Sequence, residues 1–499
     1  MGLIPEAYGW VWGVLAAFYA VSAVIFVVLE RRRPASTLAW ILVLILLPFV
    51  GLPVYLLLGR RRVRRARRKR RKRAVNPTEA MREMGALDGV PEDLPEDVRS
   101  LVRLALRTSN SAVRRADQVE LFPETGPAYD AMLEAIDAAE HRIHLEFYIW
   151  RDDDTGREMA RRLTTAAERG VRVRVLLDAL GSFSLSRGHF SSLEEKGGEV
   201  AIFAPLRPLQ GALRRNTRLD FRNHRKLVCI DGHVGFAGGL NVADEYREGR
   251  VRSSGAEWRD LWMRVDGDLV LGLEAVFLED WQASTGTLVQ PWEGVSTRDD
   301  VELQSRPRQA CASVGPAAQI IPSGPDLLES SVIVAQFISA IAGAQQRCWI
   351  CTPYFIPDTT LIILLRTAAL RGVDVRICVP SRAHNDAPLV GLAARSYYDD
   401  LLEAGCQIYE YTPGMLHAKY LIVDEHIATV GSANFDLRSL HINYEITVMF
   451  YDESVTTRLA AVFEDTLARA TPVAPESREN LSVSVRLAEG MARIMSPLF

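Results

Sequence analysis

Apolar positions along this chain follow two regimes. From Gly9 to Leu29 they run without a single charge over about 21 residues, enough to cross a bilayer core of roughly 30 Å at 1.5 Å rise per residue. Leu38 to Gly59 is a second such stretch, and the short segment Glu30–Thr37 between them allows only a tight hairpin. Residues 1–59 therefore predict a membrane hairpin of two hydrophobic spans. Pro48, Gly51 and Pro53 interrupt the second span and leave open a kinked or re-entrant path. No basic segment precedes the first span, which argues against a cleaved signal peptide.

Past residue 100 the pattern changes to alternating strands and amphipathic helices, and it occurs twice. Thr125-Gly126-Pro127, an amphipathic stretch and Ile143–Tyr148 match Ser323-Gly324-Pro325, a similar stretch and Trp349–Tyr354. Arg169-Gly170-Val171-Arg172-Val173-Arg174-Val175 then matches Arg371-Gly372-Val373-Asp374-Val375-Arg376-Ile377. Helix, strand, helix, glycine and alternating strand in this order predict an α/β sandwich on a mixed sheet. Two such units make two lobes, 101–310 and 311–478, with a pseudo-twofold axis between them. Residues 60–100 read as a polybasic segment followed by a proline-bearing polar linker. Residues 479–499 form an amphipathic tail, with Val485, Leu487, Met491, Ile494 and Met495 near helical spacing. It is either a helix packed on the core or an interfacial helix touching lipid.

Charge refines the N-terminal reading. The formal net charge is −3, yet Arg60–Arg73 holds twelve Lys or Arg and no acid, so the rest of the chain carries about −15. Such a run directly after an apolar stretch points to anionic headgroups and to topology rather than to nucleic acid. It outweighs Arg31, Arg32 and Arg33 in the hairpin loop, which places both chain ends and the body on the cytoplasmic side. The six cysteines are scattered, and Cys348-Trp349-Ile350-Cys351 reads as part of an apolar strand rather than a redox pair.

The chemistry sits in a second duplication. His224-Arg225-Lys226, then Asp231, reads H-x-K-x4-D, and so does His417-Ala418-Lys419, then Asp424. Each is followed by small residues and an asparagine: Gly238-Gly239-Leu240-Asn241 and Gly431-Ser432-Ala433-Asn434. Read as strands, the segments project His and Lys from one face. The aspartate lies an odd seven residues on, about 23 Å away at 3.3 Å per residue, so Asp231 and Asp424 are assigned to the turn end with a structural role. The returning strand is expected to bring Asn241 beside His224 and Lys226, and Asn434 beside His417 and Lys419. Ser432 adds a hydroxyl in the second lobe only, because Gly239 holds that place in the first. A carboxylate should fix each imidazole's tautomer, and Asp260 and Glu445 on the returning chain are the candidates. Two imidazoles, two ammoniums and two amides suit a phosphodiester: one His attacks phosphorus, the other protonates the departing oxygen, and the Lys and amide groups hold the charged oxygens. No carboxylate cluster with metal spacing accompanies the motifs, so neither a metal nor another cofactor is expected.

These residues resemble the phospholipase D superfamily, whose HKD motif matches His224, Lys226, Asp231 and His417, Lys419, Asp424. With the two-span N-terminus, Arg222–Lys226, Tyr354–Asp358 and Gly431–Ser439, the chain resembles the bacterial cardiolipin synthase branch over essentially its whole length. The resemblance implies two phospholipase D-like lobes, all six motif residues in the catalytic centre, and phosphatidyl transfer between two phosphatidylglycerols through a phosphatidyl-histidine on His224. His417 would serve as acid and then base, although the near-symmetric motifs do not themselves fix that order. It further implies a multi-pass protein of the bacterial cell membrane that works on anionic lipid, with no nucleic-acid partner and possible homo-oligomers. The competing readings are a membrane-bound phospholipase D making phosphatidic acid, another phosphatidyltransferase, a nucleic-acid phosphodiesterase, and a non-catalytic scaffold.

Overall fold

The computed structural model describes residues 9–29, 34–55, 89–186, 188–204, 221–250, 255–289, 315–325 and 332–496. The polybasic run Arg60–Arg73 and the linker up to residue 88 lie outside them. The N-terminal helices form one unit, and Gly89–Ala204 with Arg222–Ser496 belongs to a second, the body.

In the N-terminal unit, helix Gly9–Leu29 is followed by Pro34–Leu46 and Pro48–Val54. The second apolar stretch thus breaks at Leu47, immediately ahead of Pro48, because proline fits the first turn of a new helix better than the interior of an old one. Val27, Leu44 and Tyr55 are buried together, and the Tyr19 hydroxyl donates to the Leu44 carbonyl at 3.2 Å. Among the described residues, no helix is long and apolar enough to cross a membrane.

The body contains two mixed sheets. The first comprises β1 (Gln118–Phe122), β2 (Arg142–Phe147), β3 (Arg172–Asp178), β4 (Glu199–Phe203), β5 (Leu227–Ile230), β6 (Val234–Gly238) and β7 (Trp262–Asp266), in the spatial order β1-β7-β6-β5-β2-β3-β4. The second has as its central seven strands β8 (Ala317–Ser323), β9 (Arg347–Cys351), β10 (Asp374–Pro380), β11 (Gln407–Tyr411), β12 (Tyr420–Val423), β13 (Ile427–Gly431) and β14 (Glu445–Tyr451), in the order β8-β14-β13-β12-β9-β10-β11, with the short strands Arg114–Arg115 and Ala470–Pro472 added at its two edges. Adding seven to each label of the first sheet gives the second, so the sequence repeat is a repeat of topology. In each, a parallel trio is joined edgewise to antiparallel hairpin strands. Parallel neighbours need crossover helices, and Asp154–Glu168 and Thr359–Leu370 fill that role in equivalent places. Both start with an aspartate cap: Asp153 accepts from the Gly156 amide and Asp358 from the Leu361 amide.

One stretch crosses the boundary drawn from the sequence. Helix Glu96–Ser109 and the short strand Arg114–Arg115, partly assigned to the first lobe, serve the second. Arg114 pairs with Ala318 on the edge of β8, and Val98, Leu101 and Val102 share a core with Ile321 and Phe337. The helix has one apolar stripe, and the second lobe supplies the apolar surface it covers. Cys348 and Cys351 are buried in β9, and burial pushes both thiols up, Cys351 to about 12.

Asp231 and Asp424 occupy the hairpin turns β5–β6 and β12–β13, both with positive φ, 52° and 51°. Asp231 accepts the backbone N–H groups of Glu140, His141 and Arg142 at 2.7–2.9 Å, which lead into β2. Asp424 does the same for Gln345, Gln346 and Arg347 ahead of β9. Each carboxylate therefore clamps a turn to the neighbouring strand. Replacing Asp231 by Ala strands three donors and puts a Cβ-bearing residue without a local acceptor in the left-handed region. We expect Asp231→Ala to destabilise the body by about 2–4 kcal/mol, read as a lowered thermal midpoint. Asp231→Asn, which tolerates that backbone and retains one acceptor, should lose less.

Candidate active site

The strands β5 and β12 begin one residue after each motif lysine, so each H-x-K segment is the extended lead-in to a strand rather than part of it. The shared face survives. Lys226 Nζ donates to the carbonyl of His224 at 2.6 Å, and Lys419 Nζ to that of His417.

At the motif histidines the lobes meet in a crossed pair of contacts. The His224 amide donates to the Tyr444 carbonyl at 2.9 Å, and its Nδ1 lies 3.0 Å from both oxygens of Glu445. The His417 amide donates to the Arg259 carbonyl at 2.7 Å, and its Nδ1 lies 2.6 Å from Asp260 Oδ2. In both cases the residue before the carboxylate grips the histidine backbone and the carboxylate grips the ring. Each carboxylate comes from the other lobe, a pairing that the sequence, which offers Asp260 and Glu445 as the two candidates, leaves open. The reason lies in the register: the returning strands pair with their own hairpins at residues beyond the motif, and their ends reach across the seam. A carboxylate on Nδ1 favours the tautomer whose proton lies there, leaving the Nε2 lone pair free.

The unequal tails of the motifs now have a physical reason. Ser432 Oγ donates to Glu445 Oε2 at 2.5 Å and accepts from the Ile446 amide at 3.0 Å. The hydroxyl thus braces the carboxylate that holds His224 and is fully buried behind it, rather than adding to the phosphate-binding set. At Gly239 an added Cβ would lie 1.9 Å from Asp260 Oδ1. The shorter Asp260 takes its second hydrogen bond from the Leu261 amide, at 2.7 Å, and needs the space that glycine leaves.

The two asparagines do not behave alike. Asn241 accepts from the Ile149 amide at 3.1 Å and donates to the Tyr246 hydroxyl at 2.9 Å, so its amide is committed to structure instead of standing beside Lys226. β6 ends at Gly238, and the chain then turns to bridge Trp150 through Val242, which carries Asn241 off the expected register. Asn434 is buried, hydrogen-bonds the Asp436 side chain, and keeps its side-chain oxygen without a partner among the described residues. An open acceptor suits a ligand hydroxyl better than a phosphate oxygen. Asp231 and Asp424, grouped with the motif by resemblance, hold the far turns and do not reach the imidazoles.

Aromatic walls complete the site, and the sequence reading did not assign them. Tyr148 meets the His224 ring edge-on at 5.0 Å and lies under Lys226 Nζ at 5.5 Å. Tyr246 and Trp258 flank the His417 ring at 5.8 and 5.3 Å. A signal existed for the first: Tyr148 and Tyr354 leave equivalent strands in the repeat.

Burial governs the charges. It lowers His224 to about 4 against the pull of Glu445, and it lowers His417 as well, helped by Lys419. It brings Lys226 down to about 7 and Lys419 to about 8, with Glu445 opposing the first and Asp260 the second. Burial pushes Glu445 up, but His224 and Lys226 outweigh it and hold the carboxyl below its ordinary value. The free site thus offers neutral imidazoles and weakly held ammonium protons, and an arriving anion stabilises every one of those protons.

This is the site of a phospholipase D-like phosphoryl-transfer fold. The family described as "Cardiolipin synthase, PLD-like domain" matches residues 132–249 and 337–467, and "Phospholipase_D-nuclease N-terminal" matches 10–60. A cardiolipin synthase of Geobacillus sp. (strain WCH70) is 38% identical over 473 residues, 94% of this chain and 90% of that protein. Cardiolipin synthase 1 of Bacillus anthracis is 36% identical, covering 97% of this chain and 93% of that protein. Among solved structures, phosphatidylserine synthase of Haemophilus influenzae Rd KW20 superposes with a TM-score of 0.60 at 13% identity, covering 80% of this chain and 98% of that one. The chain belongs to the cardiolipin synthase family.

Glu445→Gln and Asp260→Asn keep shape but lose the charge that fixes each tautomer. We expect each to lower turnover by roughly 10²–10⁴-fold with the fold intact by circular dichroism, whereas Ser432→Ala should cost about tenfold or less. The plot of kcat/KM against pH, which reports the free enzyme, should fall on its basic side as Lys226 and Lys419 discharge between about 7 and 8. The loss should appear mainly as a rising KM for the anionic substrate.

Proposed function

We propose that the chain joins two phosphatidylglycerol molecules into cardiolipin and glycerol. The observation that carries this reading is the crossed pair of imidazole–carboxylate contacts in a chain that belongs throughout its length to the cardiolipin synthases. As a member of that family it is a phosphatidyltransferase.

In the first half-reaction Nε2 of His224 attacks phosphorus, and the P–O bond to the departing glycerol breaks. His417, charged once the anion is bound, gives that oxygen its proton. In the second, neutral His417 takes the proton from a hydroxyl of the second phosphatidylglycerol. That oxygen attacks phosphorus and the P–N bond to His224 breaks. Lys226 and Lys419 balance the negative oxygens as charge builds on them. Glu445 and Asp260 hold the rings and steady each imidazolium as it forms. The order, with His224 as nucleophile, rests on family likeness.

Membrane association follows the family's N-terminal segment. We read the N-terminal helices as a hairpin seated in the bacterial cell membrane, with the second arm broken at Leu47 and the body on the cytoplasmic side. Its support is the outward apolar surface of this unit, with Phe18, Leu29, Leu46 and Phe49 exposed, and the basic run that follows it in sequence.

Purified protein in vesicles with labelled phosphatidylglycerol should give cardiolipin and glycerol by mass spectrometry. His224→Ala and His417→Ala should each reduce product by at least about 10³-fold, with Lys226→Ala and Lys419→Ala close behind. Phosphatidic acid as the main product would replace the synthase reading with a hydrolase.

A further inference from the structure

The C-terminal helix Val483–Met495 is built inside out. Its outward positions Val483, Leu487, Met491 and Ile494 are 82%, 65%, 53% and 74% exposed. At a spacing of four, four and three residues they make one continuous stripe. The helix's one acid, Glu489, is 3% exposed and turned inward, where Arg478 meets it with two hydrogen bonds of 3.0 and 2.7 Å. Ala492 is the other position packed into the body. A helix bound only to its own protein would bury the stripe and leave the acid in water.

Its remaining charges are both basic. Arg486 and Arg493, seven residues apart and so on one side of the helix, are exposed, and their guanidinium groups lie against backbone carbonyls of Glu479 and Ser396 along one flank of the stripe. Arg493 also covers the Tyr397 ring at 4.3 Å. With Glu489 neutralised inside, the outer face presents an apolar stripe with a row of cations along one edge, which is the composition that an anionic bilayer surface accepts.

The helix is fastened to the wall of the active site. It packs along helix Pro388–Arg395, which leaves the loop after β10. That loop carries Asp386, bonded to the Tyr354 hydroxyl at 2.8 Å, and the first turn of the helix carries Leu389, which is exposed. The equivalent loop after β3 in the first lobe carries exposed Leu180 and Phe183, next to Asp178, which accepts the Asn223 amide beside His224. The segments that follow equivalent strands of the two lobes thus each expose apolar side chains, Leu180 and Phe183 in the first and Leu389 in the second.

We propose that the outward face of Val483–Met495 lies in the headgroup region of an anionic bilayer and holds helix Pro388–Arg395, with Leu389, against the lipid from which substrate enters. This rests on the reading of a bilayer phospholipid as substrate. The test uses the full chain in vesicles, with an environment-sensitive fluorophore on Leu487→Cys or Ile494→Cys. In vesicles of phosphatidylglycerol and phosphatidylethanolamine the emission should shift to the blue, and lipids spin-labelled near the headgroup should quench it by at least about twofold. Both readouts are independent of product formation, so they stand or fall separately from the synthase reading. Emission unchanged from detergent solution would overturn the proposal. So would a shift that follows protein density and ignores the lipid quencher, which would assign the stripe to a second copy of the chain. Leu487→Glu with Ile494→Glu, both at exposed positions, should raise KM for vesicle phosphatidylglycerol about tenfold, leaving kcat and the thermal midpoint near wild type. An unchanged KM would count against the proposal.

Discussion

Two buried carboxylates at the seam between the lobes each face an imidazole of the opposite half. Glu445 and Asp260 are almost fully enclosed, and a carboxylate in such surroundings persists only with partners that satisfy it. Each has one ring nitrogen across the seam and further donors on its own side, Ser432 Oγ and Asn443 Nδ2 for Glu445 and the Leu261 amide for Asp260. Separating the lobes would strand two anions, so the geometry that makes the histidines reactive also fixes the halves against each other. A single lobe has a histidine without its carboxylate and a carboxylate without its histidine.

That arrangement settles a difficulty of charge. A general acid must be imidazolium, yet burial and Lys419 press His417 towards the neutral form. The phosphodiester supplies what is missing. Unit charges 4 Å apart at an effective dielectric of about 20 attract by about 4 kcal/mol, and that attraction favours the protonated forms of His417, Lys226 and Lys419 together. His224, the nucleophile in the proposed mechanism, is already neutral in the free site, with burial as the cause. Binding thus loads the acid while the nucleophile stays ready, provided that the anion's charge is shared by the ammoniums rather than drawn to His224.

Much of this was legible in the sequence, and what was not has a common cause. The duplicated topology could be read because strand and helix periods are local, and Asp231 could be assigned to a turn because strand geometry forbids it from reaching His224. Asp260 and Glu445 were found as residues, but their crossing was not, since which lobe a strand end reaches is a property of packing. Asn241 went astray for a related reason: the register was extended past Gly238, where the hairpin ends. The swap of serine for glycine between the motif tails looked like a lost hydroxyl. It is the accommodation of a carboxylate one methylene shorter. Helix Glu96–Ser109 precedes the first lobe in sequence and packs on the second, because its apolar stripe had to be covered and sequence order does not say by what.

The near symmetry of the site also bears on the choice between alcohol and water. Breaking the P–O bond to a glycerol hydroxyl and forming one to the hydroxyl of another phosphatidylglycerol are the same reaction run in opposite directions. One constellation serves both if it treats incoming and outgoing oxygens alike, and the two matching Lys–His–carboxylate sets fit that requirement. Water is the competitor that symmetry does not reject. What opposes it is enclosure: the lysines and both carboxylates are buried, and the side chains of His224 and His417 are only 12% and 6% exposed. Tyr148, Tyr246 and Trp258 wall the rings with apolar surface. A phospholipid alcohol arrives already concentrated in the plane of the bilayer, whereas water must enter a site that offers it little room. The balance between synthesis and hydrolysis therefore rests on how closely the mouth of the site sits on lipid.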